Sequence, residues 1–146
     1  NKYGMGTSVT RASAGRSLAE RGKAYGIPGI EVDGMNVFSV REAGKEALDF
    51  TRSGNGPYIL EMKTYRYRGH SMSDPAKYRT RTEVDAVRQQ KDCIENLKEV
   101  LQENKVTDQE LKNIDGEIKS LVTNASDFAL ESKLPDDNEL LTDIYL

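Results

Sequence analysis

Histidine occurs once in the sequence, at His70, inside the run Tyr65-Arg66-Tyr67-Arg68-Gly69-His70-Ser71-Met72-Ser73-Asp74-Pro75, which continues through Ala76-Lys77-Tyr78-Arg79-Thr80-Arg81. An imidazole exchanges protons near neutral pH and donates hydrogen bonds to anions. Guanidinium forks beside hydroxyls and an imidazole suit an anionic ligand, above all a phosphate. Gly69 and Pro75 interrupt regular structure, so a strand is expected to run out into a long exposed loop here. Ordered loops of that length are uncommon unless they bind something. This one has like charges and few apolar anchors, so it is expected to be loosely held without its ligand.

The elements upstream set where that loop leaves the fold. Residues 1 to 15, with glycines at 4, 6 and 15, read as loop. Arg16 to Tyr25 reads as a short helix stopped by Gly26 and Ile27-Pro28. Ile30 and Val32 alternate with polar neighbours, which predicts a strand ending at the Asp33-Gly34 turn. Asn36, or Ser39 with Glu42 in a capping box, starts a helix whose apolar stripe is Val40, Ala43, Ala47, Leu48 and Phe50. Gly54-Asn55-Gly56-Pro57 stops it, and Tyr58 to Tyr65 is a second strand. Strand, helix, strand in this order predicts a right-handed parallel crossover. Ligands of parallel sheets bind beyond the carboxyl ends of the strands, where the His70 loop begins.

Downstream the pattern is helical and polar. Thr82 is a candidate cap for one helix, Ile94, Leu97, Val100 and Leu101 mark a second, and Thr107 with Glu110 forms a capping box for a third. The third carries Leu111, Ile114, Ile118, Leu121, Val122, Ala125 and Phe128 at helical spacing, for which a packing role is expected. The acidic tail from Pro135 through Asp136, Asp137 and Glu139 is expected to be loosely held until Leu140 and Ile144 find a surface.

A chain of 146 residues is natural for one domain with a sizeable core. Its 36% hydrophobic and 31% charged residues make it wetter than average and point to exposed helices. A net charge of -3 and a pI of 5.3 argue against a nucleic-acid binder. The single cysteine, Cys93, excludes an intrachain disulfide, favours a reducing compartment and reads as buried apolar filler. No apolar run reaches membrane-spanning length, so no membrane partner is expected. No signal peptide is visible, but the chain begins within a motif and not with Met, so this says little about a leader.

The run TYRYRGHSMSDP with the following YRTR resembles the phosphorylation-loop segment in alpha subunits of the thiamine-diphosphate-dependent 2-oxoacid dehydrogenases, of the pyruvate type. Asn1-Lys2-Tyr3-Gly4-Met5-Gly6-Thr7-Ser8 is similar to the end of the same family's magnesium and diphosphate motif, and Ile27-Pro28-Gly29 and Val32-Asp33-Gly34 lie between the two matches in the family's order. The resemblance covers the whole chain and is strongest over residues 1 to 83. It implies an α/β fold, the C-terminal part of a thiamine-diphosphate-binding domain (a parallel sheet with flanking helices) over residues 1 to 83, and a helical C-terminal region of that domain over residues 84 to 146.

The same resemblance implies decarboxylation of pyruvate and transfer of the acetyl group to the lipoyl arm of a dihydrolipoyl acetyltransferase. It implies thiamine diphosphate and Mg2+ as cofactors. Metal ligands carry over to the Asn1 side chain and the Tyr3 backbone carbonyl. The family's third ligand, the Asp of Gly-Asp-Gly, has no counterpart here. His70 carries over as the residue that contacts the cofactor and assists acyl transfer. Ser71 and Ser8 match regulatory phosphorylation sites, in a loop that also holds Arg66, Tyr78 and Arg79. Phosphate on Ser71 would bring negative charge beside Arg66 and Arg68 and reorder the loop. Ala76-Lys77 and Arg68 depart from the mammalian pattern, which places kinase regulation in doubt and implies a bacterial-type enzyme. Its compartment would be the cytoplasm, with the mitochondrial matrix as the alternative. The implied assembly is an α2β2 heterotetramer with active sites between alpha and beta subunits, and residues 1 to 146 alone are expected to be inactive. Branched-chain 2-oxoacid and acetoin dehydrogenase alpha subunits are near rivals within the class. A non-catalytic interaction module, in which the Arg loop and acidic helices bind partner proteins, is the rival outside it.

Overall fold

Val32 on a five-residue strand and Ala43 on the helix that follows it are, with Ala19, the buried apolar residues among those described in the computed structural model, which covers residues 1–15 and 17–144. Strand β3 (Gly29–Asp33) and strand β4 (Ile59–Lys63) pair in parallel, from Gly29 opposite Ile59 to Asp33 opposite Lys63. They are joined by helix α2 (Val37–Arg52), so the expected parallel strand-helix-strand unit is present. Helix α2 starts where the Asn36 side-chain oxygen accepts the N–H groups of Phe38 and Ser39 at 2.9 and 3.1 Å, which assigns the cap to Asn36 and not Ser39. Beyond its end Gly54 and Gly56 take positive φ angles of 79° and 94°, backbone that side chains resist. β4 then delivers the chain to the His70 loop at the carboxyl end of this sheet.

A 3-10 helix (Ala19–Tyr25) lies against the sheet and ends at Gly26, with φ 67°. It approaches so closely that a Cβ on Gly29 would stand 2.8 Å from the Ala19 carbonyl oxygen. The expected helix from Arg16 is thus shorter and tighter, and its Arg16 end lies outside the described residues. The cause is Glu61 on β4. Its Oε2 accepts the Ser17 hydroxyl at 2.7 Å and the N–H groups of Leu18 and Ala19 at 2.6 and 2.9 Å, satisfying donors at the helix start that have no partner within the helix. Lys63 closes on the other carboxylate oxygen at 2.8 Å. Residues 1 to 15 are not all loop: β1 (Tyr3–Gly4) and β2 (Thr7–Ser8) form an antiparallel hairpin turning at Met5, φ 53°, followed by the short helix α1 (Val9–Ala12).

Helix α3 (Arg81–Lys91) is capped by the Thr80 hydroxyl, 3.1 Å from the Glu83 N–H, two residues before the expected Thr82. Asp92 caps α4 (Cys93–Glu103) by accepting from Ile94 and Glu95 at 3.0 and 3.3 Å. Cys93 is half-buried, not the enclosed filler expected of it, because it stands at the helix start. Thr107 and Glu110 form the expected reciprocal capping box of α5 (Asp108–Glu131). A second 3-10 turn, Asp137–Leu141, follows.

Two compact units divide the chain, Asn1–Glu99 and Val100 onward. The expectation of a sizeable core is not met. A two-stranded sheet covered by one long helix leaves most apolar side chains half-exposed. In the second unit the apolar stripe of α5 is helical as expected, yet Ile118 and Phe128 are 55% and 76% exposed. No helix among the described residues is long and apolar enough to cross a membrane.

Candidate active site

Asp74 and Arg79 organise the loop after β4. Asp74 precedes a proline and its Oδ1 accepts the Ala76 N–H at 2.8 Å, a side-chain-closed turn. Its Oδ2 accepts the backbone N–H of His70 at 2.7 Å and the Tyr78 hydroxyl at 2.8 Å. The His70 N–H, then the Ala76 N–H and the Tyr78 hydroxyl, hold the Asp74 carboxyl below the usual carboxylate range. Held by the same contact from the other side, the Tyr78 hydroxyl titrates above its ordinary value. The Arg79 guanidinium donates to the carbonyls of Tyr67 and Arg68 at 3.1 and 2.8 Å, and to that of Arg66. It also lies over the rings of Tyr65 and Tyr78, 5.3 and 5.7 Å from their centroids. The loop's anchors are polar rather than apolar.

His70 is exposed at the head of this scaffold, with Nδ1 3.2 Å from the Arg66 guanidinium. A guanidinium has no acceptor, so Nδ1 accepts and the proton of the neutral ring belongs on Nε2. That leaves an N–H donor directed away from Arg66.

The N-terminal hairpin meets the loop through the Tyr3 and Tyr78 rings, whose centroids lie 5.2 Å apart. Between them runs a cleft lined by Asn1, Lys2, Tyr3, Met5, Tyr65, Arg66, His70, Tyr78 and Arg79. Six residues singled out from sequence thus share one site: Asn1, Tyr3, Arg66, His70, Tyr78 and Arg79. Ser71 and Ser8 do not line it. Ser71 is exposed with its hydroxyl 3.0 Å from that of Ser73, and the Ser8 hydroxyl pairs with Thr10 at 3.1 Å. Sequence reasoning missed Lys2, Tyr65 and the hub at Asp74. Of these Asp74 had a signal, its place before Pro75.

The lining suits a diphosphate in charge. Lys2, Arg66 and Arg79 are cationic, no lining residue is acidic, and Arg79 Nε is a buried donor without a partner among the described residues. Its room, about 10 Å³, is that of a water, so a diphosphate requires the cleft to open. For Mg2+ the donors are hard oxygens, as that ion demands. Asn1 Oδ1 already accepts the Tyr3 N–H at 2.9 Å, which presents the amide oxygen and the start of the hairpin as one unit. Two such oxygens are a minority of an octahedral shell, and the described residues contain no cluster of three or more His, Cys, Asp or Glu side chains fit for a metal.

Residues 1–137 match the family model described as dehydrogenase E1 component. The chain is 53% identical over its whole length to a protein of Rhizobium meliloti named pyruvate dehydrogenase E1 component subunit alpha, of which it covers 42%. The protein of that name in Zymomonas mobilis is 51% identical, again over the whole chain and 41% of the relative. A mitochondrial one in Dictyostelium discoideum is 50% identical, over the whole chain and 39% of its own length. The chain therefore spans about two-fifths of the length of these curated relatives. With a family match over nearly its whole length, and with both matching sequence runs meeting in one cleft, the chain belongs to the dehydrogenase E1 component family.

Proposed function

We propose that this chain supplies one wall of the cofactor site in the alpha subunit of a thiamine-diphosphate-dependent pyruvate dehydrogenase. The cleft carries the reading: it joins the Asn1 segment to the His70 loop and is cationic without a compensating acid. The names of the relatives favour pyruvate over branched-chain 2-oxoacids or acetoin, and over a non-catalytic module. In this reading residues 1 to 83 belong to the thiamine-diphosphate-binding domain, and residues 84 to 146 are its helical extension. The site is completed by a beta subunit in an α2β2 assembly, and the acetyl group passes to the lipoyl arm of dihydrolipoyl acetyltransferase. A bacterial cytoplasm or a mitochondrial matrix both suit such an enzyme.

Thiamine diphosphate, when bound, would supply the nucleophilic and electron-accepting chemistry that decarboxylation of a 2-oxo acid needs. The chain's own residues bind and orient. The Asn1 side-chain oxygen and the Tyr3 carbonyl would hold Mg2+. Lys2 and Arg66 balance its charge. His70 presents Nε2–H as a donor and proton carrier, with Arg66 fixing the tautomer at Nδ1. Ser71, beside Arg66 and Arg68 in sequence, remains the candidate phosphorylation position, with Ser8 a second.

Titrating thiamine diphosphate and Mg2+ into the full-length subunit assembled with its beta subunit tests this. Arg66→Gln is expected to weaken binding by about tenfold, the scale of a lost charge-assisted contact. Unchanged affinity in Arg66→Gln, or an enzyme that does not decarboxylate pyruvate, overturns the reading.

A further inference from the structure

Three residues before His70, Tyr67 turns away from the cleft toward the corner between α3 and α4. Its hydroxyl donates to Asp92 Oδ2 at 3.0 Å, and the Arg88 guanidinium stacks on its ring at 5.0 Å. The other oxygen of Asp92 accepts the Ile94 and Glu95 N–H groups that begin α4. One carboxylate therefore joins the helix corner to the stem of the loop, across 25 residues. On its backbone side Tyr67 is gripped by Arg79, which donates to its carbonyl at 3.1 Å. With side chain and carbonyl both fixed, the peptide that leads into Arg68, Gly69 and His70 leaves in a set direction. Apart from the Asp92 contact, the stem is joined to α3 by the Arg88 stacking and by the Tyr65 hydroxyl, which donates to Glu83 at 2.9 Å.

We propose that Tyr67 and Asp92 are positioning residues for His70, the helix corner acting through their hydrogen bond to hold the loop stem. This rests on His70 serving the reaction proposed above. The Glu95 N–H and the Tyr67 hydroxyl both keep Asp92 ionised below the usual carboxylate range, so the contact is charge-assisted at neutral pH.

The test uses the full-length subunit assembled with its beta subunit, with His70→Ala as reference. Tyr67→Phe keeps the ring and its stacking on Arg88, and Asp92→Asn keeps an oxygen to cap α4. Each is expected to lower kcat for pyruvate by about tenfold with KM unchanged. Each is also expected to speed trypsin cleavage at Arg66 and Arg68 several-fold, while the melting temperature stays within about 2 °C. The double variant should be no worse than either single one, since both break one bond. If the losses in the double variant multiply, if kcat is unchanged, or if the melting temperature falls in step with kcat in Tyr67→Phe, the positioning role is wrong and the contact is packing. If His70→Ala itself keeps full activity, the reading of the site fails instead, and faster trypsin cleavage in Tyr67→Phe still reports on the tether.

Discussion

Asp74 holds His70 by the main chain and not by the ring: Oδ2 accepts the His70 backbone N–H at 2.7 Å, while the imidazole turns to Arg66. The position of the ring and the chemistry of the ring thus depend on different neighbours. A substitution at Asp74 misplaces an intact imidazole, whereas one at Arg66 alters which nitrogen carries the proton.

Asp74→Ala in the assembled enzyme is expected to lower turnover by about 10²-fold, since small misplacements of a reacting group cost that much. Because the folded carboxyl titrates below its ordinary value, its contribution is present above the unfolded pKa and is lost as the pH falls through the lower folded one. Trypsin sensitivity of the loop should therefore stay constant from neutral pH down to the ordinary carboxylate range and rise only below it. A rise that begins near neutral pH contradicts Asp74 as the hub.

Glu61→Gln tests the clamp between β4 and the first 3-10 helix. Partial burial pushes this carboxyl up, but hydrogen bonds from Lys63, Ser17, Ala19 and Leu18 outweigh it and hold the pKa down to about 2. The clamp is therefore at full strength above the unfolded carboxylate range and fades as the pH falls toward about 2. The variant in the full-length subunit should melt roughly 5 °C lower at neutral pH. That gap should close in acid; a gap that is constant with pH contradicts the clamp.

The local features were readable because they are closed by neighbours in sequence. Asn36 caps α2 and Thr107 with Glu110 caps α5 through contacts two or three residues long, and the apolar period of each helix supports the reading. The hubs are not local. Glu61 looks like an ordinary polar strand position until it meets N–H groups 42 and 43 residues away. Arg79 reads as one more cation in a basic run, although its donors reach back 11 to 13 residues to three carbonyls. Thr80 displaced Thr82 as a cap because either residue satisfies the helix-start pattern, and only backbone geometry chooses between them. The cleft joins two runs about sixty positions apart, which no spacing within either run predicts.

Purified residues 1–146 are expected to show no pyruvate decarboxylation with thiamine diphosphate and Mg2+. In the proposed site the ion would find only two oxygens of this chain, from Asn1 and Tyr3, and the described residues bury only Ala19, Val32 and Ala43 among apolar side chains. Neither is enough to hold a cofactor in a closed site. Measurable carbon dioxide release above a His70→Ala control would contradict this.

His70→Ala in the assembled enzyme separates a reacting imidazole from a structural one. The ring is exposed and its hydrogen-bond partner among the described residues is Arg66, so its removal leaves the Asp74 and Arg79 hubs in place and the melting temperature unchanged. Loss of a positioned acid or base lowers turnover by about 10²-fold or more. Three quantities measured together decide the role: melting temperature, decarboxylation read with an artificial electron acceptor, and acetylation of a free lipoyl domain. If Nε2–H serves the acyl transfer, lipoyl acetylation falls further than decarboxylation at constant melting temperature. If it serves only to bind the diphosphate, both fall together and saturating cofactor restores both. Small equal losses that cofactor does not restore make His70 a bystander, and a collapsed melting temperature makes it a structural residue.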